Sequence, residues 1–176
     1  MKKSLFLIFT LAGLFLISSA QAVNLNWIEH NQTVIVDNTF QLSKPNKKWD
    51  TQSDHYEDPA PVKWVRHIDG PNPQIFLRYR DNVQGQTAHA YANYVKQELM
   101  GRGITVHKTE NQVVNGRNVA ILHAKGGDQT YLIGVWRHRN LGFQLECRAD
   151  QNIFEKFTGE FAQAIQSVKI IKESGL

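Results

Sequence analysis

The sequence predicts an α+β fold in which an antiparallel, meandering β-sheet is flanked by helices. Apolar and polar residues alternate along most of the chain, and tight turn signals separate the alternating runs. Two stretches instead repeat their apolar residues every three or four positions, which is typical of amphipathic helices. Because such helices bury one face and a sheet needs cover on at least one face, we expect the two kinds of element to pack on each other.

The N-terminal residues 1–22 are predicted to be a secretory signal peptide. Two lysines precede the apolar run 5–17, and residues 20–22 have the small-residue cleavage pattern Ala-Gln-Ala. The apolar run is shorter than the ~20 residues of a membrane-spanning helix. We therefore expect an exported protein, periplasmic or secreted, with no membrane span after cleavage and a single domain over residues 23–176.

Two antiparallel hairpins are predicted in the first half of this domain. Their strands are residues 33–36, 39–42, 62–68 and 74–80. Asp37-Asn38 forms the first turn, and Gly70-Pro71-Asn72-Pro73 forms the second. The polar stretch 50–59 between the hairpins is predicted to be a loop.

The second half is predicted to be helix, four-strand meander and helix. Residues 87–100 form the first helix, with Thr87 as its cap and glycines 101 and 103 at its end. The predicted strands of the meander are residues 104–114, 118–124, 130–138 and 143–149. Asn115-Gly116 is the strongest of its turn signals. The closing helix, residues 153–171, has an aromatic stripe that suits packing on the sheet, and Asp150 or Asn152 is its expected cap.

This order of elements resembles the PsbP-like α/β/α sandwich superfamily, which includes exported bacterial relatives of the DcrB type. The resemblance is carried by the hairpin TVIVDNTFQLSKPNKKW with its Pro45 and Trp49, the helix TAHAYANYVKQELMGRG, the Val-Asn-Gly hairpin QVVNGRNVAILHA and the closing helix IFEKFTGEFAQAIQSVKII. It covers residues 33–171. The resemblance implies the fold. Its patterns carry no catalysis, and members have binding or accessory roles in unrelated pathways, so no function is carried over to this chain.

No catalytic signature is found. The serines of residues 23–176 lie outside any Gly-x-Ser-x-Gly pattern, and the glycines at 101 and 103 follow a helix instead of opening one. Cys147 is the only cysteine, and it alternates with Phe143 and Leu145. We therefore expect a buried, unreactive thiol with Arg148 on the opposite face. No cofactor is predicted.

One acidic segment is the weak candidate for a metal site. His55, Glu57 and Asp58 lie close together in the predicted loop. Their spacing matches neither a zinc motif nor a calcium-binding loop, so a solvated loop is the preferred interpretation and no metal is predicted.

Six arginines are predicted to form an anion-binding face of the sheet. They are Arg66, Arg78, Arg80, Arg137, Arg139 and Arg148. Residues two apart in a strand share a face, so Arg137 and Arg139 of the run Val-Trp-Arg-His-Arg-Asn are expected on one side, and Trp136 and His138 on the other. Guanidinium groups bind phosphate and carboxylate bidentately. The alternative is that the arginines pair with surface acids, at ~0–1 kcal/mol per pair.

These observations favour an exported, non-enzymatic binding or accessory protein. Its partner is expected to be a protein or an anionic lipid headgroup. The chain has 20 Lys and Arg against 16 Asp and Glu, and residues 1–22 hold two of the lysines and no acid, so the mature domain has only 18 against 16. That small surplus argues against nucleic acid. The alternative is an envelope factor that binds only proteins, through residues 50–61 and the aromatic side chains of Trp27 and Tyr56. A hydrolase or metal enzyme is the third hypothesis.

Overall fold

The computed structural model describes residues 27–30, 32–36, 40–52, 62–80, 83 and 87–171. The strands of this part of the chain are β1 (Trp27–His30), β2 (Thr33–Val36), β3 (Phe40–Ser43), β4 (Asp50–Thr51), β5 (Val62–Val65), β6 (Gln74–Arg80), β7 (Thr105–Val114), β8 (Arg117–Gly126), β9 (Gln129–His138), β10 (Leu141–Asp150) and β11 (Lys169–Ile170). The helices are α1 (Ala88–Gly101) and α2 (Phe154–Gln166). The predicted signal peptide lies outside the described residues.

The strands form two antiparallel sheets. The larger has the order β4-β5-β6-β10-β9-β8-β7, and the smaller has the order β1-β2-β3-β11. Strands β7 to β10 are the predicted meander, and the hairpins β2–β3 and β5–β6 are also formed as predicted. The predicted fold class, an antiparallel meander sheet with flanking helices, is confirmed.

The two faces of the large sheet belong to separate hydrophobic clusters. On one face, here the α2 face, Trp136 and Cys147 pack with α2 and the small sheet. On the other, here the α1 face, Val135 and Ile133 pack with α1. Helix α1 packs chiefly on β7, β8 and β9. The polar side chains of β5, β6 and β10 therefore lie beside α1 on the same face.

The helix ends agree with the sequence at α1 and differ at α2. The Thr87 hydroxyl accepts a hydrogen bond from the Ala90 N–H at 3.1 Å, as predicted. Neither Asp150 nor Asn152 caps α2. Ile153 occupies the cap position without a side-chain bond, and the Asp150 carboxylate instead accepts from the Gln129 amide. The carboxylate is used across the β9–β10 pair and is not available to the helix.

The predicted closing helix is too long at its C-terminal end. Helix α2 ends at Gln166, and residues 169–170 pair with β3. The Ser167 hydroxyl accepts from the Ser43 N–H at 2.8 Å, which ties the end of the helix to the small sheet. Pairing of residues 169–170 with β3 therefore ends the helix earlier than predicted. Helical periodicity alone does not reveal this pairing.

The predicted loop 50–59 is partly strand. Asp50 and Thr51 pair with Val65 and Trp64 and form the edge of the large sheet. Strand β1 was not predicted from the sequence and pairs with β2. The pairing of such short strands depends on a neighbouring strand that is already in place.

Trp49 of the Pro-Trp pattern is a core residue. Its ring lies 6.0 Å from the Phe161 ring and 6.4 Å from the Phe157 ring, both of α2. Its indole N–H donates to the Glu160 carboxylate at 2.5 Å. The Trp49 side chain therefore connects the segment before β4 to α2, which agrees with a structural role for the Pro-Trp pattern.

Asn115→Ala is expected to lower the free energy of unfolding by about 2 kcal/mol. Asn115 has φ +48°, and its side-chain amide donates to the Gln166 and Val168 carbonyls at 3.1 and 2.9 Å. Alanine loses both hydrogen bonds, each contributing ~0.5 kcal/mol at this largely exposed position, and it disfavours positive φ by ~1 kcal/mol. Urea denaturation measures the difference. Asn115→Gly, which tolerates positive φ, is expected to cost about half as much; an equal cost would show that the amide contributes everything.

Candidate functional site

The six predicted arginines fall into three groups. Arg78, Arg80 and Arg148 lie on the α1 face of β6 and β10. Arg137 and Arg139 lie at the end of β9 and in the following turn. Arg66 lies just beyond β5 and donates to the Lys48 carbonyl at 3.2 Å. The structure thus places three of the six on the neighbouring strands β6 and β10 of one face, with Arg137 on the same face one strand further on.

Three cationic side chains gather around Phe76. We call this group the Phe76 cluster, and its members are Lys63, Gln74, Phe76, Arg78, Glu146 and Arg148. The strand register explains the gathering. Lys63, Phe76 and Glu146 stand in one row across β5, β6 and β10, and Arg78 and Arg148 stand in the rows on either side.

Three cationic groups lie over the Phe76 ring. The Arg148 guanidinium carbon is 4.6 Å from the ring centroid, Lys63 Nζ is 5.6 Å away and the Arg78 guanidinium carbon is 5.7 Å away. These contacts leave the ring only 4 % exposed. Cation–π attraction contributes ~0.5–1 kcal/mol at an exposed site, which offsets part of the repulsion among the three charges.

Two of these cations lack a carboxylate partner in the part of the chain that the structure describes. The Arg148 guanidinium donates twice to the neutral Gln74 side-chain oxygen, at 2.5 and 3.1 Å. Lys63 contacts the Phe76 ring and makes no ion pair there. Both side chains are partly exposed. The positive charge of this half of the cluster is therefore open to solvent.

Arg78 is ion-paired to a buried carboxylate. Glu146, which is 0 % exposed, is 2.8 Å from Arg78 Nε and accepts two hydrogen bonds from Arg102, at 2.8 and 3.0 Å. Burial opposes ionisation of Glu146, but the Arg102 hydrogen bonds and the Arg78 charge outweigh it and lower the pKa of the carboxyl. Glu146 thus stays charged between two guanidiniums.

Arg80 is engaged by α1. Its guanidinium lies 4.5 Å from the Tyr94 ring centroid and 3.6 Å from the Glu98 carboxylate. The same register row contains Gly142, over which the Tyr91 ring packs, and then Arg137 on β9. Arg80 borders the Phe76 cluster but has a partner of its own.

The Val-Trp-Arg-His-Arg-Asn run divides only partly as predicted. Val135 and Trp136 do lie in the clusters on opposite faces. Arg139, however, is not in the strand: it occupies the two-residue turn between β9 and β10 with φ +53°. The expectation that it shares a face with Arg137 is therefore wrong, because a tight turn breaks the alternation of the strand.

The remaining candidates add no functional site in the part of the chain that the structure describes. Cys147 is buried beside the Phe161 carbonyl, and burial raises the pKa of its thiol well above the ordinary value. His55, Glu57 and Asp58 lie outside the described residues, as does Tyr56. Among the described residues, the structure has no group of three His, Cys, Asp or Glu that could hold a metal ion, and no helix long and apolar enough to cross a membrane.

Sequence reasoning missed two cations near the site. Lys63 alternates with the core residue Trp64 on β5, so the phasing applied to the arginines would have placed it on the α1 face. Arg102 carries no such signal. It follows α1, and only the packing of that helix brings it to Glu146, which is 44 residues away in the chain.

Comparison with known proteins identifies the fold. No protein-family model and no curated protein matches the sequence. Among solved structures, the chain is similar to cyanobacterial PsbP (CyanoP) from Synechocystis sp. PCC 6803, with a TM-score of 0.56 and 11 % identity over 88 % of this chain and 98 % of that one.

Two further solved structures have the same architecture. LpqN, involved in cell envelope biogenesis of Mycobacterium tuberculosis, has a TM-score of 0.55 and 13 % identity, covering 84 % of this chain and 90 % of that one. PA94 from Pseudomonas aeruginosa, a protein of unknown function, has a TM-score of 0.50 and 14 % identity, covering 81 % and 94 %. At these identities the similarity concerns the fold, and it confirms the resemblance predicted from the order of elements.

Proposed function

We propose that this chain, which has the PsbP-like fold, is an exported, non-enzymatic binding protein that recognises a phosphorylated lipid headgroup through the Phe76 cluster. The observation that carries the proposal is the pair Lys63 and Arg148, two partly exposed cations over one aromatic ring with no carboxylate partner among the described residues. Arg78 stands beside them. An anion entering this cluster meets positive charge from β5, β6 and β10 together.

Repulsion among the cations of the Phe76 cluster favours occupation by an anion. At an effective dielectric constant near 20, two unit charges about 8 Å apart repel each other by roughly 2 kcal/mol. Glu146 neutralises part of the charge, but it is already shared by Arg78 and Arg102. A phosphate group would relieve the remaining repulsion and accept charge-assisted hydrogen bonds from the guanidiniums.

A membrane headgroup fits the placement of the cluster better than a deeply enclosed ligand does. The cations belong to a sheet face beside α1, on strands β5, β6 and β10, close to the edge strand β4 of the large sheet. A cationic face of this kind presents its charge to a surface, where each Lys or Arg near an anionic membrane contributes about 1 kcal/mol. The export signal predicted for residues 1–22 would deliver the protein to such a surface.

The double variant Lys63→Gln/Arg148→Gln is expected to weaken binding to anionic vesicles roughly 30-fold, from about 1 kcal/mol per lost charge. Binding is measured by sedimentation with phosphatidylcholine vesicles that contain or lack phosphatidylglycerol, over a salt series. Wild-type binding is expected only with phosphatidylglycerol, and it should weaken as salt screens the charges.

The matched control is Lys125→Gln/Lys156→Gln, which removes two exposed positive charges outside the cluster. It is expected to bind within about twofold of wild type. Equal weakening by the two double variants would reduce the effect to net charge and contradict a site at Phe76. Absence of wild-type binding at low salt would contradict the headgroup proposal itself.

A further inference from the structure

Gln74 and Arg148 face each other across the β6–β10 pair and form one side of the Phe76 cluster. The two residues are register partners. The Arg148 guanidinium uses Nε and Nη2 together to donate to the single Gln74 side-chain oxygen, at 3.1 and 2.5 Å. Two donors that share one acceptor restrict the rotation of a guanidinium, whose N–H groups form a rigid fork. Gln74 therefore holds Arg148 in one orientation.

Gln74 is a neutral residue at a position where a carboxylate would stabilise the sheet. Opposite charges directly across an antiparallel pair are favourable, so a glutamate at this position would form an ion pair with Arg148. Arg78, two residues further along β6, has such a partner in the buried Glu146 carboxylate, at 2.8 Å. An amide has nearly the same shape as a carboxylate and accepts the same hydrogen bonds. Gln74 thus orders the Arg148 guanidinium without cancelling its charge.

The Arg148 guanidinium has a second edge, which Gln74 leaves open. Gln74 occupies the edge formed by Nε and Nη2, so the edge formed by Nη1 and Nη2 points away from Gln74. Within the described ranges no group accepts a hydrogen bond from Nη1. We call this edge the outer edge of Arg148. It presents two N–H groups side by side, an arrangement that suits two oxygens of one phosphate group.

We infer that Gln74 is the positioning residue of the Phe76 cluster and that the anion binds to the outer edge of Arg148 through two oxygens of one phosphate group. This inference rests on the proposed function and narrows its ligand. The class that fits is a phosphodiester or phosphomonoester headgroup, because both leave at least two oxygens of the phosphorus free. Lys63, whose Nζ also lies over the Phe76 ring, supplies the second positive charge.

Gln74→Glu separates the ordering of Arg148 from its charge. The new carboxylate keeps the hydrogen bonds from Arg148 and cancels its charge. We expect binding to phosphatidylcholine vesicles that contain phosphatidylglycerol to weaken about fivefold, the effect of one charge lost near an anionic surface. The urea midpoint should rise, because the cross-strand pair becomes an ion pair. A residue with only a structural role would move binding and stability in the same direction.

The matched control is Gln163→Glu, which adds the same negative charge at an exposed position of α2, the helix that packs on the other face of the sheet. It is expected to bind within about twofold of wild type. Equal weakening by Gln74→Glu and Gln163→Glu would reduce the effect to net charge and would overturn the role of Gln74.

The pH profile of Gln74→Glu tests the charge directly. Protonation makes the new carboxyl a neutral analogue of the amide, and pairing with Arg148 lowers its pKa below the ordinary value of about 4.3. The binding deficit relative to wild type at the same pH should therefore shrink between about pH 4.5 and pH 3. The other charged side chains of the site are Lys63, Arg78, Arg102 and Glu146. The first three stay positive, and the lowered pKa of Glu146 keeps it ionised below its ordinary value.

Two variants of unchanged net charge test the outer edge. Arg148→Lys keeps the charge but loses the fork, so binding should weaken about fivefold, the contribution of about one hydrogen bond. Lys63→Arg should bind within about twofold of wild type, because the inference requires only a charge there. Wild-type binding by Arg148→Lys would contradict a two-point contact at the outer edge.

The outcomes distinguish failure of this inference from failure of the proposed function. Absence of wild-type binding at low salt contradicts both. If wild type binds and Lys63→Gln/Arg148→Gln does not, but Gln74→Glu binds within about twofold of wild type at neutral pH, the headgroup site stands and the role of Gln74 is overturned. A Gln74→Glu deficit that stays constant down to about pH 3 would also overturn it, since the carboxyl is then neutral.

Discussion

Gly142→Ala is expected to lower the free energy of unfolding by about 3 kcal/mol or more. A Cβ atom at this position would lie 2.5 Å from Cε2 of the Tyr91 ring, well inside van der Waals contact. Tyr91 is fully buried in the cluster that holds α1 to the sheet. The ring must therefore move, and α1 with it. Overpacking of a core costs about 1–3 kcal/mol and loss of a buried aromatic contact costs about 3–5 kcal/mol, which together set the expected loss of stability.

Urea denaturation of Gly159→Ala, Tyr91→Ala and the double variant Tyr91→Ala/Gly142→Ala distinguishes this steric mechanism from a general intolerance of alanine. Gly159→Ala lies within α2, where an added Cβ meets nothing, and it should stabilise the protein by about 0.5–1 kcal/mol. In a Tyr91→Ala background, Gly142→Ala should cost less than about 1 kcal/mol, since the obstructing ring is gone. A cost that is unchanged in this background would refute the steric explanation.

Glu146→Gln is expected to destabilise the protein by about 3 kcal/mol at neutral pH. The carboxylate is the shared partner of Arg78 and Arg102, and the amide leaves two partly buried guanidiniums with no opposite charge between them. Removing one member of a buried ion pair typically costs 3–5 kcal/mol. The exposed fractions of Arg78 and Arg102, 24 % and 32 %, place the expectation at the lower end.

The pH dependence of this loss has a definite sign. The pKa of Glu146 is lowered in the folded state, so its contribution is present above the unfolded-state pKa of about 4.3 and is lost as the pH falls through the folded-state pKa. The stability difference between wild type and Glu146→Gln should therefore be constant above about pH 5 and should shrink in acid. A difference that stays constant down to the acid limit would contradict the charged triad.

Glu146→Gln also bears on the proposed function. The variant leaves the cations of the Phe76 cluster in place and removes the carboxylate among them, so vesicle binding should be retained or strengthened while stability falls. A Lys63→Gln/Arg148→Gln protein should show the opposite pattern, with binding lost and stability nearly unchanged. The two variants together separate the cations that hold the fold from those proposed to hold a ligand.

Much of the architecture was predictable because it rests on local patterns. Asn115-Gly116 marks the β7–β8 turn, since Asn115 and Gly116 both adopt positive φ there. Period-three and period-four repeats locate both helices, and alternation separates Val135 from Trp136. The strands β4 and β11 were missed because two residues have no periodicity, and β1 was missed because its residues Trp-Ile-Glu-His do not alternate between apolar and polar. Their existence depends on a partner strand elsewhere in the chain.

The candidate site was predictable only in part. Alternation along β6 puts Arg78 and Arg80 on one face, but only the pairing of β6 with β10 adds Arg148 to that face, and alternation failed for Arg139, where a turn replaces the strand. Whether a cation has an acid partner depends on which strands are neighbours. Glu146 meets Arg102 because the packing of α1 brings the side chain that follows the helix within reach of β10, and Arg148 meets the neutral Gln74 because β6 and β10 pair in one particular register.

The sequence by itself determined the fold class, the two helices, the meander and the face to which most strand residues point, because these follow from hydrophobic periodicity and turn chemistry over a few residues. Only the tertiary structure decided which charges meet. The order of the strands places three cations around Phe76 and buries Glu146 between two guanidiniums. It also brings the Arg117 side chain to the Arg137 carbonyl, across two hairpins. Electrostatic balance is a property of distances between segments remote in the chain, and no local pattern contains those distances.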